Sequence, residues 1–281
     1  MPLTSEQEIA TRERFAFGDN WRRFLAVLDE KRIQTAEESL RRMLAVHDLD
    51  GQSFLDIGCG SGLFSLAAMR LGARVRSFDF DPQSVACALE LKRRYFTDDA
   101  RWQIEQGSVL DREYLRSLGL FDVVYSWGVL HHTGAMWAAL DNAAGVVKPS
   151  GSLFIAIYND QGKISRRWLA VKRAYNRLPR GTRFLVTIPA LVHLHWRPAV
   201  KDLLRGRPFA SWREVGKERG MSAWTDLIDW VGGLPFEVAK PEAILDFFVE
   251  RGFQLQRLIT CGGSLGCNEF VFVRDQPRER H

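Results

Sequence analysis

The 281-residue chain is 46% hydrophobic and 26% charged, so it can bury a sizeable core, and its composition excludes a disordered protein. Its N-terminal stretch mixes both signs of charge, and no window reaches the roughly 18 consecutive apolar residues of a membrane span, so we expect no signal peptide and no membrane helix. The four cysteines are widely scattered, which favours reduced thiols and predicts a cytoplasmic protein.

The formal net charge of +5 is distributed unevenly along the chain. Residues 161–220 contain 15 Lys or Arg against Asp202, Glu214 and Glu218, a net charge of +12 for this segment. Such a block attracts phosphates, carboxylates or an anionic membrane surface. A solvated helical face is an equally good interpretation.

Strands and helices alternate after a polar, amphipathic start. Residues 15–46 are typical of one or two helices, within an N-terminal helical cap over residues 1–48. Residues 49–160 contain five apolar strand segments, SFLDIGCG, ARVRSFDF, WQIEQGSVL, FDVVYSWGVL and SLFIAIYN, the last after a turn at KPSG. Helical segments separate most of them, namely LFSLAAMRLG, PQSVACALELKRRYF and MWAALDNAAGVVK. This alternation predicts an α/β fold, with a parallel sheet that has helices on both faces.

The alternation breaks at residue 161 and returns at residue 241. Residues 161–240 are basic and helix-prone, which predicts a helical insertion after the fifth strand. Residues 241–274 contain an amphipathic helix, PEAILDFFVERG, and two strands, FQLQRLIT and NEFVFVR, which we expect to complete the core.

Glycines follow the first strand in the segment DIGCGSG. Gly58, Gly60 and Gly62 lie where a strand turns into a helix, and glycine lets backbone amides approach a ligand closely. Their spacing differs from the Gly-x-Gly-x-x-Gly pattern of dinucleotide-binding enzymes. Asp79 ends the second strand, at about the 20-residue distance at which a carboxylate can bind ribose hydroxyls.

Five segments in this order, FLDIGCGSG, SFDFDP, QGSVLD, FDVVYSWGVLHH and VVKPSGSLFIAIYN, resemble the motifs of class I S-adenosylmethionine (SAM)-dependent methyltransferases. The resemblance covers about residues 50–160 and, with the terminal hairpin, 240–274. It implies a seven-stranded, mostly parallel Rossmann-like sheet with an antiparallel last strand. It also implies that SAM lies across the carboxyl ends of the strands.

The resemblance implies a set of cofactor-binding residues along the strand ends. Near the methionine portion we expect Asp56, Gly58, Cys59, Gly60 and Gly62; near the ribose Asp79 and Phe80; near the adenine Ser108 and Val109; and near the sulfonium Trp127 and Gly128. Many relatives have Asp in place of Ser108. The aromatic residues Phe15, Phe17 and Trp21 are candidates to cover the cationic sulfonium, or else they pack in a core or lid.

Four residues are candidates for the chemistry of transfer. His131 and His132 follow the fourth strand, where an imidazole can accept the acceptor's proton, although related enzymes often have a His pair at this place that does not act as a base. Tyr158 ends the fifth strand at the ligand-binding edge. Asp229 lies among aromatic residues that either form a pocket or are the packing face of a helix. Cys261 and Cys267 lack further clustered ligands, so we expect no metal.

The sequence therefore predicts a SAM-dependent methyltransferase with an oxygen or nitrogen acceptor on a small or lipid-linked biosynthetic molecule. The insertion is predicted to be a lid that selects an anionic acceptor, or else a homodimerisation surface. One alternative is a tRNA or other RNA methyltransferase, suggested by the pI of 9.2, although no RRM or KH signature is present. Another alternative is a noncatalytic SAM-binding subunit.

Overall fold

The computed structural model describes residues 28–207 and 223–276, together with Trp21, Leu25 and Ala26. In this part of the chain a single sheet has seven strands in the order β3-β2-β1-β4-β5-β7-β6. The strands are β1 (Ser53–Ile57), β2 (Arg74–Asp79), β3 (Trp102–Gln106), β4 (Phe121–Trp127), β5 (Val147–Tyr158), β6 (Phe253–Ile259) and β7 (Cys267–Arg274). Strands β1 to β5 pair in parallel, and β7 is antiparallel to both β5 and β6. The predicted fold class and the antiparallel last strand are confirmed.

The helices of the described residues cover both faces of the sheet or form the insertion. They are α1 (Glu30–Leu44), α2 (Leu63–Arg70), α3 (Pro82–Tyr95), α4 (Arg112–Leu118), α5 (Met136–Gly145), α6 (Lys163–Arg177), α7 (Phe184–Leu204), α8 (Ala223–Gly232) and α9 (Pro241–Val249). Short 3₁₀ turns lie at Leu130–His132 and Arg180–Thr182. The sequence did not predict α4, which begins at the Asp111 cap, where the carboxylate accepts the Tyr114 N–H at 2.9 Å.

Successive residues of each central strand enter different cores, as the pleat of a strand requires. In β1, Phe54 packs with α1, α2 and α3, whereas Leu55 packs with α4, α5 and α9. Helix α1 contributes Ile33, Leu40 and Met43 to the first of these cores, so it packs directly on the sheet domain.

Strand β5 begins earlier than the sequence predicted. The segment KPSG is an irregular part of this strand instead of a turn before it, and Ser150 has φ 60°. A Cβ at Gly151 would lie 2.9 to 3.1 Å from the carbonyl oxygens of Lys148, Asp122 and Phe121. The turn residues therefore produce a bulge that lets the strand continue.

The insertion after β5 is helical, as predicted, and α6, α7 and α8 surround a small core of their own. Trp168, Tyr175, Leu227 and Val231 are buried in it. Among the described residues, no helix has the length and apolar character needed to cross a membrane.

Candidate active site

Four neighbouring strands end at one edge of the sheet and bring the predicted cofactor residues into a row. In the spatial order β3, β2, β1 and β4, these ends carry Ser108 and Val109, then Asp79 and Phe80, then the glycine loop 58–62, then Trp127 and Gly128. With strands about 4.8 Å apart, the row is about 14 Å long. The topology thus builds one elongated edge from segments that are far apart in the sequence.

The glycine loop needs its glycines for conformation and for space. Gly58, Gly60 and Gly62 have φ values of 74°, 54° and 81°, a region that other residues rarely adopt. A Cβ would lie 2.4 Å from Val129 Cγ1 at Gly58 and 2.7 Å from Trp21 Cε2 at Gly60. The Trp21 indole therefore lies directly against the loop.

The Asp79 carboxylate is half-buried and fixed by backbone donors. Its Oδ2 accepts the Gly60 N–H at 2.9 Å, and its Oδ1 accepts the Asp81 N–H at 2.9 Å. A carboxylate has about four lone-pair sites, so each oxygen can accept a further hydrogen bond. The two N–H groups thus set the orientation of a carboxylate that can receive two hydroxyls.

Asp56 and Cys59 lie beneath the glycine loop. Asp56 Oδ2 accepts the Ser65 hydroxyl at 2.5 Å, and burial raises the pKa of this carboxyl to about 7. Burial also raises the pKa of the Cys59 thiol, and the Cys59 N–H donates to the Phe78 carbonyl at 3.1 Å. Both side chains are buried, and the Asp56 carboxyl connects the end of β1 to α2.

The two outer ends of the row differ in how open they are. On β3, Val109 is buried, and its carbonyl accepts from Asn142 Nδ2 at 2.9 Å, while Ser108 Oγ accepts the Leu110 N–H at 3.2 Å. On β4, Gly128 has φ 75°, and a Cβ added there would meet no heavy atom of the described residues within 4 Å. Within the described part of the chain, the end of β4 is therefore open.

The two histidines follow β4 in a 3₁₀ turn and have different surroundings. His131 is fully buried, its Nδ1 accepts the Tyr158 N–H at 3.4 Å, and burial lowers its pKa well below the usual range. His132 Nδ1 lies 2.6 Å from the Pro235 carbonyl oxygen, which can only accept. Nδ1 is therefore the donor in His132, and Nε2 is the basic nitrogen of the neutral ring.

Comparison with known proteins finds similarity over the part of the chain that contains this edge. Residues 55–153 match a family model described as a methyltransferase domain. Over 146 residues the chain is 34% identical to a ubiquinone biosynthesis O-methyltransferase of Parvibaculum lavamentivorans, an overlap of 49% of this chain and 53% of that protein. Residues 55–153 are thus similar in sequence to methyltransferase domains. The chain spans about half the length of the curated relatives it matches.

Solved structures with this fold have different reactions in their titles. The magnesium protoporphyrin IX methyltransferase of Synechocystis PCC 6803, crystallised with SAM, matches with a TM-score of 0.56 and 14% identity, covering 98% of this chain and 99% of that one. The [4+2]-cyclase SpnF matches with a TM-score of 0.54 and 12% identity, covering 87% of this chain and 81% of that one. At these identities the likeness shows the fold of the domain alone.

Residues 235–239, which we call the return segment, lead back from the insertion to the sheet. They close one side of the edge that the strand ends form. The Glu237 N–H donates to the His131 carbonyl at 3.0 Å, and Glu237 Oε2 accepts the Met136 N–H at 3.0 Å at the start of α5. The Ala239 N–H donates to the Tyr158 carbonyl at 3.0 Å. Burial raises the pKa of Glu237. The return segment thus joins the histidine turn, α5 and the end of β5.

A buried lysine connects the insertion to the side of the sheet edge that the return segment closes. Lys172 in α6 is fully buried, and its Nζ donates to the Trp230 carbonyl. The ammonium lies 4.7 Å from the Trp230 ring centroid and 4.6 Å from that of Phe236. The Trp230 ring centroid is 5.2 Å from that of Tyr158 at the end of β5. Sequence reasoning missed this cluster because Lys172 resembles its exposed basic neighbours.

The structure brings three of the four predicted catalytic residues together. The ring centroids of His131 and Tyr158 are 3.9 Å apart, and those of His132 and Tyr158 are 5.4 Å apart. Asp229 belongs to α8, but its side chain lies outside the described residues, as do Phe15 and Phe17. Whether any of the three acts in catalysis stays a prediction.

Proposed function

We propose that this protein transfers the methyl group of SAM to an oxygen or nitrogen of a small or lipid-linked biosynthetic acceptor. The row of strand ends from Ser108 to Gly128 carries the proposal, because it places a carboxylate, a glycine loop and an open strand end side by side over about 14 Å, the length of an extended nucleoside linked to an amino acid. The name of the relatives, ubiquinone biosynthesis O-methyltransferase, favours oxygen as the acceptor atom.

The residues of the row fit SAM by their chemistry. Asp79 offers two fixed carboxylate oxygens to vicinal hydroxyls, and the glycine loop has no side chains of its own at Gly58, Gly60 and Gly62, although the Trp21 indole lies against it. Bound SAM supplies an activated methyl group on a sulfonium. The space over Gly128 lies next to the histidine turn, so the methyl group is assigned to that end of the row.

The task left to the protein is to align the acceptor, exclude water and receive a proton. The return segment and the rings of Tyr158, Trp230 and Phe236 enclose the side of the edge next to β4. His132 Nε2 is the nitrogen that can take the proton of a hydroxyl or amine acceptor. His131 is assigned a positioning role, since its low pKa keeps the buried ring neutral against Tyr158.

The insertion is the part of the chain proposed to select the acceptor. It leaves the sheet after β5, and α6 and α8 contact the end of that strand through the Lys172 cluster. The basic residues exposed on α6 suit an anionic acceptor.

A SAM-binding protein that transfers no methyl group is a second candidate, since the same fold occurs in a protein titled as a cyclase. Formation of S-adenosylhomocysteine (SAH) with labelled SAM and cell extract separates the two. Label recovered in a small molecule or lipid supports the first proposal, whereas label in RNA moves the acceptor to nucleic acid.

The cofactor assignment is tested by titration calorimetry with SAH and the Asp79→Asn variant. Loss of a charge-assisted pair of hydrogen bonds costs about 1.5–3 kcal/mol, so we expect binding at least tenfold weaker than in the wild type. Asp246→Asn is the matched control, because this exposed carboxylate lies on α9, far along the chain from the row. Equal affinity of the Asp79→Asn variant and the wild type would refute the assignment.

A further inference from the structure

Helix α7 of the insertion exposes a continuous apolar stripe. Leu185, Ile188, Val192, Trp196 and Leu203 are each between 50% and 70% exposed. Their spacings of three, four, four and seven residues place them on one face of the helix. We call these five residues the α7 stripe.

The opposite face of α7 is the one that packs against the protein. Thr187 and Ala190 are buried, and Leu194 packs against the insertion core. The helix therefore presents apolar side chains on both faces. The outer face exposes much more apolar surface than a single leucine on a protein surface does.

The exposed charged side chains of α6 and α7 are all positive. Arg197 and Lys201 in α7, and Arg205 directly after its end, follow at four-residue spacing and are exposed, and the Arg197 guanidinium lies 5.4 Å from the Trp196 ring centroid. The single acidic residue of α7, Asp202, is buried, and α6 has no acidic residue. The exposed basic residues of α6 are Lys163, Arg166, Arg167, Arg173 and Arg177.

We infer that the α7 stripe docks on the headgroup region of an anionic lipid bilayer. An exposed apolar face that includes a tryptophan, with exposed cations on the other side of the helix, is the pattern of a helix that lies in the membrane interface. The apolar side chains leave water, while the cations face lipid phosphates. The inference concerns where the protein works and does not depend on methyl transfer.

Two other occupants suit the surface less well. A second copy of the chain would cover the stripe but bring two cationic surfaces together, which costs free energy. An RNA would pair with the cations but leave the aliphatic side chains exposed to water, since nucleic acids are bound through charge and aromatic stacking. An anionic bilayer satisfies both features at once.

The test is vesicle flotation of the full-length protein with phosphatidylcholine vesicles and with vesicles that contain phosphatidylglycerol as well. We expect binding to the anionic vesicles and at least tenfold weaker binding to the neutral ones. The Ile188→Ser/Val192→Ser variant should bind anionic vesicles at least tenfold more weakly than the wild type. In Arg197→Gln/Lys201→Gln/Arg205→Gln, binding should fall by about fivefold for each cation removed.

Matched controls remove the same chemistry elsewhere on the surface. Leu120→Ser/Val249→Ser replaces two equally exposed aliphatic residues, and Arg42→Gln/Arg74→Gln/Arg116→Gln removes the same charge. Both controls should bind like the wild type. Three results would each overturn the inference: no preference for anionic vesicles, equal losses in variants and controls, or a dimer by light scattering that the Ile188→Ser/Val192→Ser variant converts to monomer.

Discussion

The two adjacent histidines are held by different backbone groups. Tyr158 presents an N–H to His131 Nδ1 at 3.4 Å, and His131 Nε2 is buried with no hydrogen-bond partner among the described residues. Pro235 presents a carbonyl to His132 Nδ1, which leaves Nε2 as the basic nitrogen. A general base must hold its lone pair toward the reacting proton, and this favours His132 over His131.

We therefore expect His132→Gln to lower methyl transfer by about 10²-fold while SAH affinity stays unchanged. The measurements are SAH formation with labelled SAM and cell extract, and calorimetric SAH binding. His131→Asn is the control, because its amide oxygen can still accept the Tyr158 N–H; its loss of activity should be smaller. If His131→Asn loses as much activity as His132→Gln, or if neither loses any, His132 is not the base.

The buried Asp56 carboxyl makes the free energy of unfolding fall as the pH rises. A salt-bridged carboxylate has the opposite effect. Its pKa rises from 3.8 to about 7 on folding because the group is buried. At pH 5 the folded protein keeps this proton and the unfolded chain has lost most of it. The contribution of this group to the free energy of unfolding is therefore greatest below pH 3.8, and it is lost as the pH rises through 7.

The Asp56→Asn variant lacks this ionisation and should become relatively more stable as pH rises. Between pH 5 and pH 8, the difference in free energy of unfolding between variant and wild type should move by about 3 kcal/mol in favour of the variant. Urea denaturation at both pH values, without cofactor, measures it. Asp246→Asn should show no such change. A constant Asp56→Asn difference would mean that Asp56 is already ionised at pH 5 in the folded protein.

Among the helices and strands, the sequence predicted those that a local pattern of residues indicates. The strands β1 to β5 are apolar runs bounded by glycines and polar residues, and the positions of Gly58, Gly60 and Asp79 followed from motif spacing. Helix α4 was missed because it is only seven residues long and contributes one buried side chain, Leu115, too little for a clear periodicity. At KPSG the turn residues were recognised, but β4 pairs with β5 on both sides of them, at Val147 and at Ser152, so the strand continues through a bulge.

The return segment could not be predicted from the sequence because its role lies in contacts across the chain. Glu237 bonds the carbonyl of His131 and the N–H of Met136, and nothing in the local pattern of residues 235–239 indicates either partner. Lys172 presents the same difficulty: a count of charges treats every lysine as solvated, whereas this one is enclosed by aromatic rings.

At the scale of the whole molecule, the insertion is a unit distinct from the sheet, because the residues that precede it and those that follow it lie next to each other. The Asp160 N–H donates to the Ala239 carbonyl at 3.1 Å, and Asn159 forms a parallel bridge with Ala239. Helices α6 to α8 also bury a core of their own around Trp168 and Val231. The chain therefore leaves the sheet and returns to it at neighbouring positions, Asp160 and Ala239.

Replacing residues 163–232 with a short Gly/Ser linker tests the role of the insertion as a lid. We expect SAH binding within a few-fold of the wild type, because the row from Ser108 to Gly128 belongs to the sheet domain. Methyl transfer to cell extract should be abolished, because Tyr158 and Phe236 lose the rings and the Lys172 ammonium that enclose them. Thermal unfolding with and without SAH verifies that the shortened protein folds. A shortened protein that is monomeric and still methylates its acceptor would show that the insertion serves assembly, since a lid that selects the acceptor cannot be removed without loss of transfer.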